Sequence, residues 1–154
     1  MQAKSLLLVL AAFTFNAYAV DEPGSSPATP STRDRMNNAR KALEVHDYKK
    51  AVSELQVVVR SDPRNAEAQS LLGYSYRKSP TPDLAKAFEH YNIALKIDPR
   101  HKGAHEYIGE AYLTDRKPDQ AEKHLAELEK ICGNRSCEEY ADLSKAIAEY
   151  KAKN

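Results

Sequence analysis

From residue 33 onward, apolar side chains recur at intervals of three and four residues, with polar side chains between them. This spacing puts the apolar positions on one side of an α-helix and predicts a protein built of amphipathic helices. β-Branched residues are sparse, and the prolines fall between the apolar segments, where helices end. Helices are expected at 33–46, 48–61, 65–78, 83–97, 101–114 and 118–131.

The predicted helices form pairs that repeat along the chain. The segment IGEAY at 108–112 follows LGYSY at 72–76 by 36 residues, and ALKIDP at 94–99 follows VVRSDP at 58–63 by the same distance. The turn RKSPTPDL at 77–84 is two residues longer than its counterparts. Such an insertion is tolerated because loop-closure entropy grows slowly with length.

A repeat of about 34 residues made of two helices is typical of the tetratricopeptide repeat, and residues 33–133 resemble that family. The first repeat departs from the family pattern because Asn38 and Ala39 replace its Leu-Gly pair. The resemblance implies an all-α, right-handed α-solenoid with repeats at 33–64, 65–100 and 101–133. The matching residues are Ala42, Tyr48, Ala51, Leu55, Val58 and Pro63, then Leu72, Gly73, Tyr76, Ala87, Tyr91, Ala94 and Pro99, then Ile108, Gly109, Tyr112, Ala121, Leu125 and Leu128.

A capping helix is expected at 137–152, CEEYADLSKAIAEYKA, and would complete a helical domain at 33–154. One side of this helix is an apolar stripe that includes Leu143 and Ile147, and the opposite side is charged. The last repeat of a solenoid exposes an apolar face unless a helix with a polar outer side covers it. The segment is therefore predicted to cover the end of the solenoid.

Gly73 and Gly109 lie inside predicted helices, where glycine is about 1 kcal/mol less favourable than alanine. Their presence predicts that a neighbouring helix comes too close for a side chain. Ala87 and Ala121, in the second helix of each pair, are the expected small partners.

The first 32 residues do not continue the helical pattern. Lys4, the apolar run LLLVLAAFTF and the Ala-Tyr-Ala at 17–19 predict a signal peptide at 1–19, cleaved before Val20. The apolar run is too short to span a bilayer, so no membrane insertion is expected after cleavage. Residues 20–32, VDEPGSSPATPST, predict a flexible leader. The mature protein is expected in a bacterial periplasm or outside the cell.

Charge and motifs narrow the functional classes. Without Lys4 the chain has 22 basic and 22 acidic residues, a balance that favours neither nucleic acid nor anionic membrane as a partner. The sequence has no glycine-rich phosphate loop, nucleophile elbow or C-x-x-C motif, so no enzymatic activity and no cofactor are expected.

His101 and His105 have a spacing that can hold a metal, but no metalloprotease pattern accompanies them. They are predicted to be solvated histidines, and no metal site is expected.

The resemblance implies that the first helix of each pair lines a concave groove that binds a peptide or loop of a partner protein. Tyrosines there would offer amphipathic surface, and arginines or lysines would offer charged donors. Alternatively, the tyrosines fill the inner wall between helices. The groove residues expected are Asn37, Arg40, Tyr74, Arg77, Lys78, Tyr107 and Glu110, together with Arg33, Met36, Ser70, Glu106 and Thr114.

One known use of such a groove can be examined from the sequence. Family members that hold the C-terminal tail of cytosolic heat-shock chaperones use a clamp of lysine, asparagine and arginine side chains. The matching positions here are Met36, Arg40, Leu71, Gly103 and Tyr107, so the clamp is absent.

The expected function is an interaction scaffold in envelope protein assembly or maturation. Homodimerisation through the outer helices is a further expectation.

The two cysteines, Cys132 and Cys137, lie in EKICGNRSCEEY at 129–140. Gly133 is expected to end a helix, and Ser136 with Glu139 to form a capping box that starts the next one. In an oxidising compartment this corner favours a disulfide that holds the capping helix in place. A thiol at a helix N-terminus is also reactive, so a redox or metal-handling accessory function is the alternative.

Overall fold

The computed structural model describes residues 29–153, and that part of the chain contains seven α-helices and no strand. Each predicted helix is present, with boundaries within two residues of those expected. The predicted signal peptide and residues 20–28 of the predicted leader lie outside the described residues. The helices are α1 Thr32–Glu44, α2 Tyr48–Ser61, α3 Ala66–Lys78, α4 Leu84–Ile97, α5 Lys102–Thr114, α6 Pro118–Cys132 and α7 Glu138–Lys153.

Side-chain caps explain where the helices begin. Ser31 accepts a hydrogen bond from the backbone N–H of Asp34, whose carboxylate accepts one from the N–H of Ser31 in return. This capping box starts α1 at Thr32, so the last two residues predicted for the leader belong to the helical domain. Four further helices, α2 to α5, start after a cap of the same geometry, made by Asp47, Asn65, Asp83 and His101.

The helices stack as antiparallel pairs in chain order: α1 with α2, α3 with α4, and α5 with α6. Each second helix also contacts the first helix of the next pair, and α3 contacts α5 directly. The last helix, α7, packs on both α5 and α6, in the way that α5 packs on α3 and α4. The described chain is therefore an all-α helical-repeat solenoid in which α7 takes the position of a further repeat.

Small residues let the helices approach closely. A Cβ on Gly73 would lie 2.7 Å from Cε1 of Tyr91 and 2.9 Å from the carbonyl oxygen of Ala87, so the predicted approach of α4 occurs there. At Gly109 the expected partner, Ala121, is not the closest neighbour. The three atoms nearest to a Cβ there all belong to Leu143 of α7, at 2.6–3.3 Å. The contact differs because α7 packs on α5 at the level of Gly109.

Within residues 29–153, no helix combines the length and the apolar character needed to cross a membrane.

Candidate functional site

A groove with a volume of about 660 Å³ lies on the side of the solenoid formed by the first helices. Its walls come from α3, from the turn before α5, from α5 itself and from the first turns of α7. The predicted groove residues that line it are Tyr74, Lys78, Glu106, Tyr107 and Glu110. The structure thus brings together members of the second and third repeats, and α7 supplies a wall that the sequence analysis did not include.

Tyr74 and Tyr107 face each other across α3 and α5, with ring centroids 4.7 Å apart. Tyr107 also packs near the ring of Tyr91, at 6.4 Å, and joins the surrounding core. Burial raises the pKa of both Tyr74 and Tyr107, so their hydroxyls stay protonated at neutral pH. Each tyrosine both fills the inner wall and lines the groove. Packing between helices and exposure to the groove, which the sequence left as alternatives, therefore occur together.

Arg77 is not the exposed donor that its position in the sequence suggested. Its side chain is 8% exposed, and it forms an ion pair with Glu110 of the next repeat. The Arg77 Nε also donates to the Tyr91 hydroxyl at 3.4 Å, and its guanidinium lies 5.5 Å from the centre of the Tyr74 ring. Stacking of α5 on α3 buries this pair, so Arg77 and Glu110 bind each other and hold the groove wall together.

Six predicted groove residues other than Arg77 do not line the groove: Arg33, Met36, Asn37, Arg40, Ser70 and Thr114. Arg40 is exposed at its edge, with Nη2 3.4 Å from Oε1 of Glu67. Asn37 is exposed on α1 and does not line the groove. Two candidates belong to the core instead: Met36 is buried among α1 and its neighbours, and Ser70 is buried in α3. Met36 is buried because it packs in a core cluster with residues of α2 and α3.

The groove is acidic around Glu106. Burial raises the pKa of Glu106 to about 8, and the carboxylates of Glu110 and Asp142 add to this effect. Glu139 raises the Glu106 pKa further, whereas Arg77 lowers it. Glu106 is therefore mostly protonated at neutral pH. The contribution of α7 was missed because its charged side was expected to face only solvent.

The histidines of the third helix pair make contacts that hold helices together. His101 caps α5 and lies 3.1 Å from a carboxylate oxygen of Glu67, which is the main reason that its pKa is raised. His105, expected to be solvated, is buried: its Nε2 lies 3.1 Å from the Pro99 carbonyl and its Nδ1 lies 2.9 Å from Nδ1 of His124. It is buried because it bridges the turn before α5 to α6.

The same bridge occurs one repeat earlier. Gln69 donates from Nε2 to the Pro63 carbonyl at 3.4 Å, and its Oε1 lies 2.8 Å from Nδ1 of His90. Because Gln69 stands where the third repeat has His105, these residues have a shared structural role in holding each helix pair to the preceding turn.

Cys132 and Cys137 form a disulfide that joins the end of α6 to the residue before α7. Gly133 ends α6 in the left-handed conformation, with φ of 71°, as expected. The predicted capping box is absent: the Ser136 hydroxyl donates to Asn134, and Glu139 pairs with Lys102. Ser136 stands one residue too early to cap, since α7 begins at Glu138 and the Cys137 carbonyl accepts its first bond.

Residues 36–101 match the family model described as tetratricopeptide repeat. No curated protein sequence matches the chain. The TPR2B domain of yeast Sti1, in a complex with pHsp70, is 13% identical with a TM-score of 0.70, covering 80% of this chain and 98% of that one. The first TPR of Spaghetti (RPAP3), bound to the HSP90 peptide SRMEEVD, is 16% identical with a TM-score of 0.66, and the match covers 79% of this chain and 93% of that one. MamA from Desulfovibrio magneticus RS-1 is 23% identical with a TM-score of 0.61, and the match covers 69% of this chain and 59% of that one. At these identities the likeness shows the fold.

Proposed function

We propose that the protein is a non-enzymatic interaction scaffold, because residues 36–101 match the tetratricopeptide-repeat family model and the described chain has that fold. It binds a peptide or loop of a partner protein in the groove between α3, α5 and α7. The open groove of about 660 Å³, lined by Tyr74 and Tyr107, carries this proposal. Its volume lies in the range of roughly 300–1,000 Å³ that is typical of ligand sites.

The proposal also states the compartment in which the protein acts and its task there. The protein is exported to a bacterial periplasm or secreted, and there it assists the assembly or maturation of envelope proteins. The signal-peptide pattern at 1–19 and the disulfide-compatible cysteine pair support an oxidising compartment. N-terminal sequencing of the protein from the periplasmic and external fractions is expected to begin at Val20. Recovery of the chain with its first 19 residues intact in the cytoplasm would contradict the export.

Gly103 offers a way to close the groove without disturbing the fold. It lines the groove near the start of α5, and a Cβ there would lie 3.6 Å from the nearest atom, in His101, and 3.7 Å from Tyr107. These are ordinary contact distances. Gly103→Ala therefore keeps the groove open, whereas the large ring in Gly103→Trp extends into it between His101 and Tyr107.

The test is chemical crosslinking in the native envelope, followed by capture of the tagged protein. The wild type and Gly103→Ala are expected to capture the same partner, and Gly103→Trp to lose most of that capture. Circular dichroism and thermal melting verify that both variants are folded. Equal capture by Gly103→Trp would refute the groove as the binding surface.

A redox or metal-handling function of the cysteine pair is the second candidate. One observation favours it: the sulfur atoms of Cys132 and Cys137 and a carboxylate oxygen of Glu139 lie within 4.8 Å of one another. Only the reduced pair has thiolates that can bind a metal. Titration of free thiols in the freshly isolated, denatured protein decides between the candidates. A count of zero is expected, and a count near two would favour the second candidate.

A further inference from the structure

The charge of the groove indicates the chemistry of its partner. We infer that the groove binds a basic peptide segment, in which at least two arginine or lysine side chains reach the carboxylates of α5 and α7. This inference rests on the proposed scaffold function and adds to it the class of segment that is recognised.

The first argument is the balance of charge along the walls. The groove lining holds seven carboxylates and three lysine or arginine side chains. Several of these carboxylates are already paired: Glu110 with Arg77, Glu67 with His101, and Glu139 with Lys102.

Three groove carboxylates form no hydrogen bond or ion pair with any other residue in the described part of the chain. They are Glu106, Glu138 and Asp142. These groups lie on α5 and on the first turns of α7, on one side of the groove. A partner that brings positive charge to this side compensates them, whereas an acidic segment adds to their repulsion.

The second argument distinguishes a long cationic side chain from a metal ion. Outside the cysteine corner, no three potential ligand atoms of the described residues lie within 4.8 Å of one another. The oxygens of Glu106, Glu110 and Asp142 are therefore too dispersed to surround one ion. A guanidinium has five donors spread over a planar fork and can bridge carboxylates at such separations.

The third argument comes from the tyrosines. Tyr74 and Tyr107 give the groove aromatic walls beside the carboxylates, and the Tyr74 face already attracts a guanidinium, that of Arg77. Apolar walls that end in carboxylates suit the apolar stem and charged head of arginine and lysine. The groove thus matches both parts of a basic side chain.

Binding of this kind is linked to the protonation of Glu106. The charged groups that face it are Glu110 on α5, Glu139 and Asp142 on α7, and Arg77 on α3. A bound guanidinium stabilises the ionised form of Glu106, so binding at neutral pH releases a proton. The affinity for an arginine peptide is expected to rise with pH up to about 8, the pKa of Glu106 in the free protein, and then level off.

The test is isothermal titration calorimetry with three synthetic peptides. One peptide has two arginines separated by uncharged residues, the second has glutamine in place of both arginines, and the third is the acidic peptide SRMEEVD. The wild type is expected to bind the arginine peptide at least tenfold more tightly than either of the others. Its affinity should rise between pH 6.5 and pH 8.5, and a change of buffer should reveal the released proton.

Matched variants locate the interaction. Glu106→Gln with Asp142→Asn should weaken arginine-peptide binding at least tenfold. Glu89→Gln with Glu149→Gln removes the same number of carboxyl groups from exposed positions outside the groove and, at pH 8.5, should change the affinity less than twofold. Thermal melts of both pairs verify folding. An equal loss in the two pairs would mean general charge attraction and would overturn the inference.

Two other outcomes also overturn it. One is binding of the arginine peptide that is no tighter than binding of the glutamine or acidic peptide. The other is displacement of the arginine peptide by an equimolar amount of Ca²⁺.

The Gly103→Trp capture experiment distinguishes a failure of the scaffold function from a failure of the basic-partner inference. If that variant loses its partner while the peptides show no basic preference, the scaffold function stands and the basic partner is wrong. If that variant captures normally, both are wrong.

Discussion

At the turns inside the first and third helix pairs, one residue adopts a backbone conformation that glycine tolerates best. His46 has φ of 57° and Arg116 has φ of 58°, and the two residues occupy equivalent places after α1 and α5. The left-handed region brings Cβ close to the backbone, at a cost of roughly 1–2 kcal/mol for ordinary residues. The compact turn is therefore kept in spite of local strain.

Arg116→Gly should relieve this strain. The free energy of unfolding should rise by about 0.5–1 kcal/mol. This is less than the strain itself, because glycine also makes the unfolded chain more flexible. Urea denaturation measures it. Arg64→Gly serves as the control, since Arg64 is an exposed turn residue without a positive φ and should lose a small amount of stability. A loss of stability at Arg116 as well would show that the turn is not strained there.

Glycines at close helix contacts should respond in the opposite direction. Gly73→Ala puts a Cβ against the Tyr91 ring and the backbone oxygen of Ala87, and neither neighbour is free to move. Overpacking of this kind destabilises by about 1–3 kcal/mol. Gly103→Ala, at an open position in a helix, should instead stabilise by up to about 1 kcal/mol. Thermal melts of the two variants should therefore shift in opposite directions, and equal shifts would contradict the contact at Gly73.

At the scale of the elements, α7 has two roles. Its apolar side, with the buried Leu143 and Ile147, covers α5 and α6 as the sequence pattern predicted. Its first turns also place Glu138, Glu139 and Asp142 at the groove. The helix that ends the solenoid thus also determines part of the charge of the groove.

The disulfide should add stability to this end of the molecule. Replacing Cys132 and Cys137 together by serine removes a short closed loop, which is worth about 2 kcal/mol in the chain-entropy model. Leu143 remains packed against Gly109, so α7 stays docked and peptide binding should change little. Urea denaturation of the wild type with reductant should match that of the variant, and reductant should not affect the variant. Equal stability of oxidised and reduced wild type would contradict the stabilising role.

At the scale of the whole molecule, carboxylates of α5 and of α7 act on one another. The Glu106 pKa of about 8 lies well above the ordinary value of 4.5, so the folded protein holds a proton that the unfolded chain releases. The stabilising effect of this proton is complete below pH 4.5 and is lost as the pH rises through 8. Stability therefore falls as the pH rises from about 4.5 to about 8, and it changes little above that.

Glu106→Gln should remove this part of the pH dependence. The wild type is expected to lose about 1–2 kcal/mol more than the variant between pH 6.5 and pH 9, after allowance for the partial exposure of Glu106. His101, whose pKa is raised by Glu67, titrates in both proteins, so the difference between the two curves isolates Glu106. Urea denaturation at several pH values measures it. Parallel curves would show that Glu106 is ionised in the folded protein.

His124 should have its effect at lower pH. Burial, with a contribution from His105, lowers the pKa of His124 to about 4, so the folded state disfavours its charged form. The contribution of His124 to stability is expected to decrease as the pH falls from 6.5 towards 4, and the Glu106→Gln variant shows it without the opposing contribution of Glu106.

Much of the fold could be predicted because it depends on local features. The apolar spacing, the caps and the prolines act within a few residues, so each helix and its boundaries were expected within two residues. The family resemblance also implied that first helices line one surface and that Tyr74 and Tyr107 lie on it. The exact roles of groove residues were harder to predict, because they depend on side-chain directions in helices that are distant in sequence.

By itself, the sequence determined the helices and their pairing, since these follow from periodicity and from a repeated length, and the family resemblance implied the surface that the first helices share. Only the tertiary structure decided which groove charges remain available to a partner. Arg77 lies 33 positions from Glu110, and the stacking of α5 on α3 turns both from binding candidates into a buried pair. Stacking of α7 likewise brings Asp142 towards Glu106. Packing between repeats thus paired Arg77, one of the expected donors, and brought unpaired carboxylates of α5 and α7 together on one side of the groove.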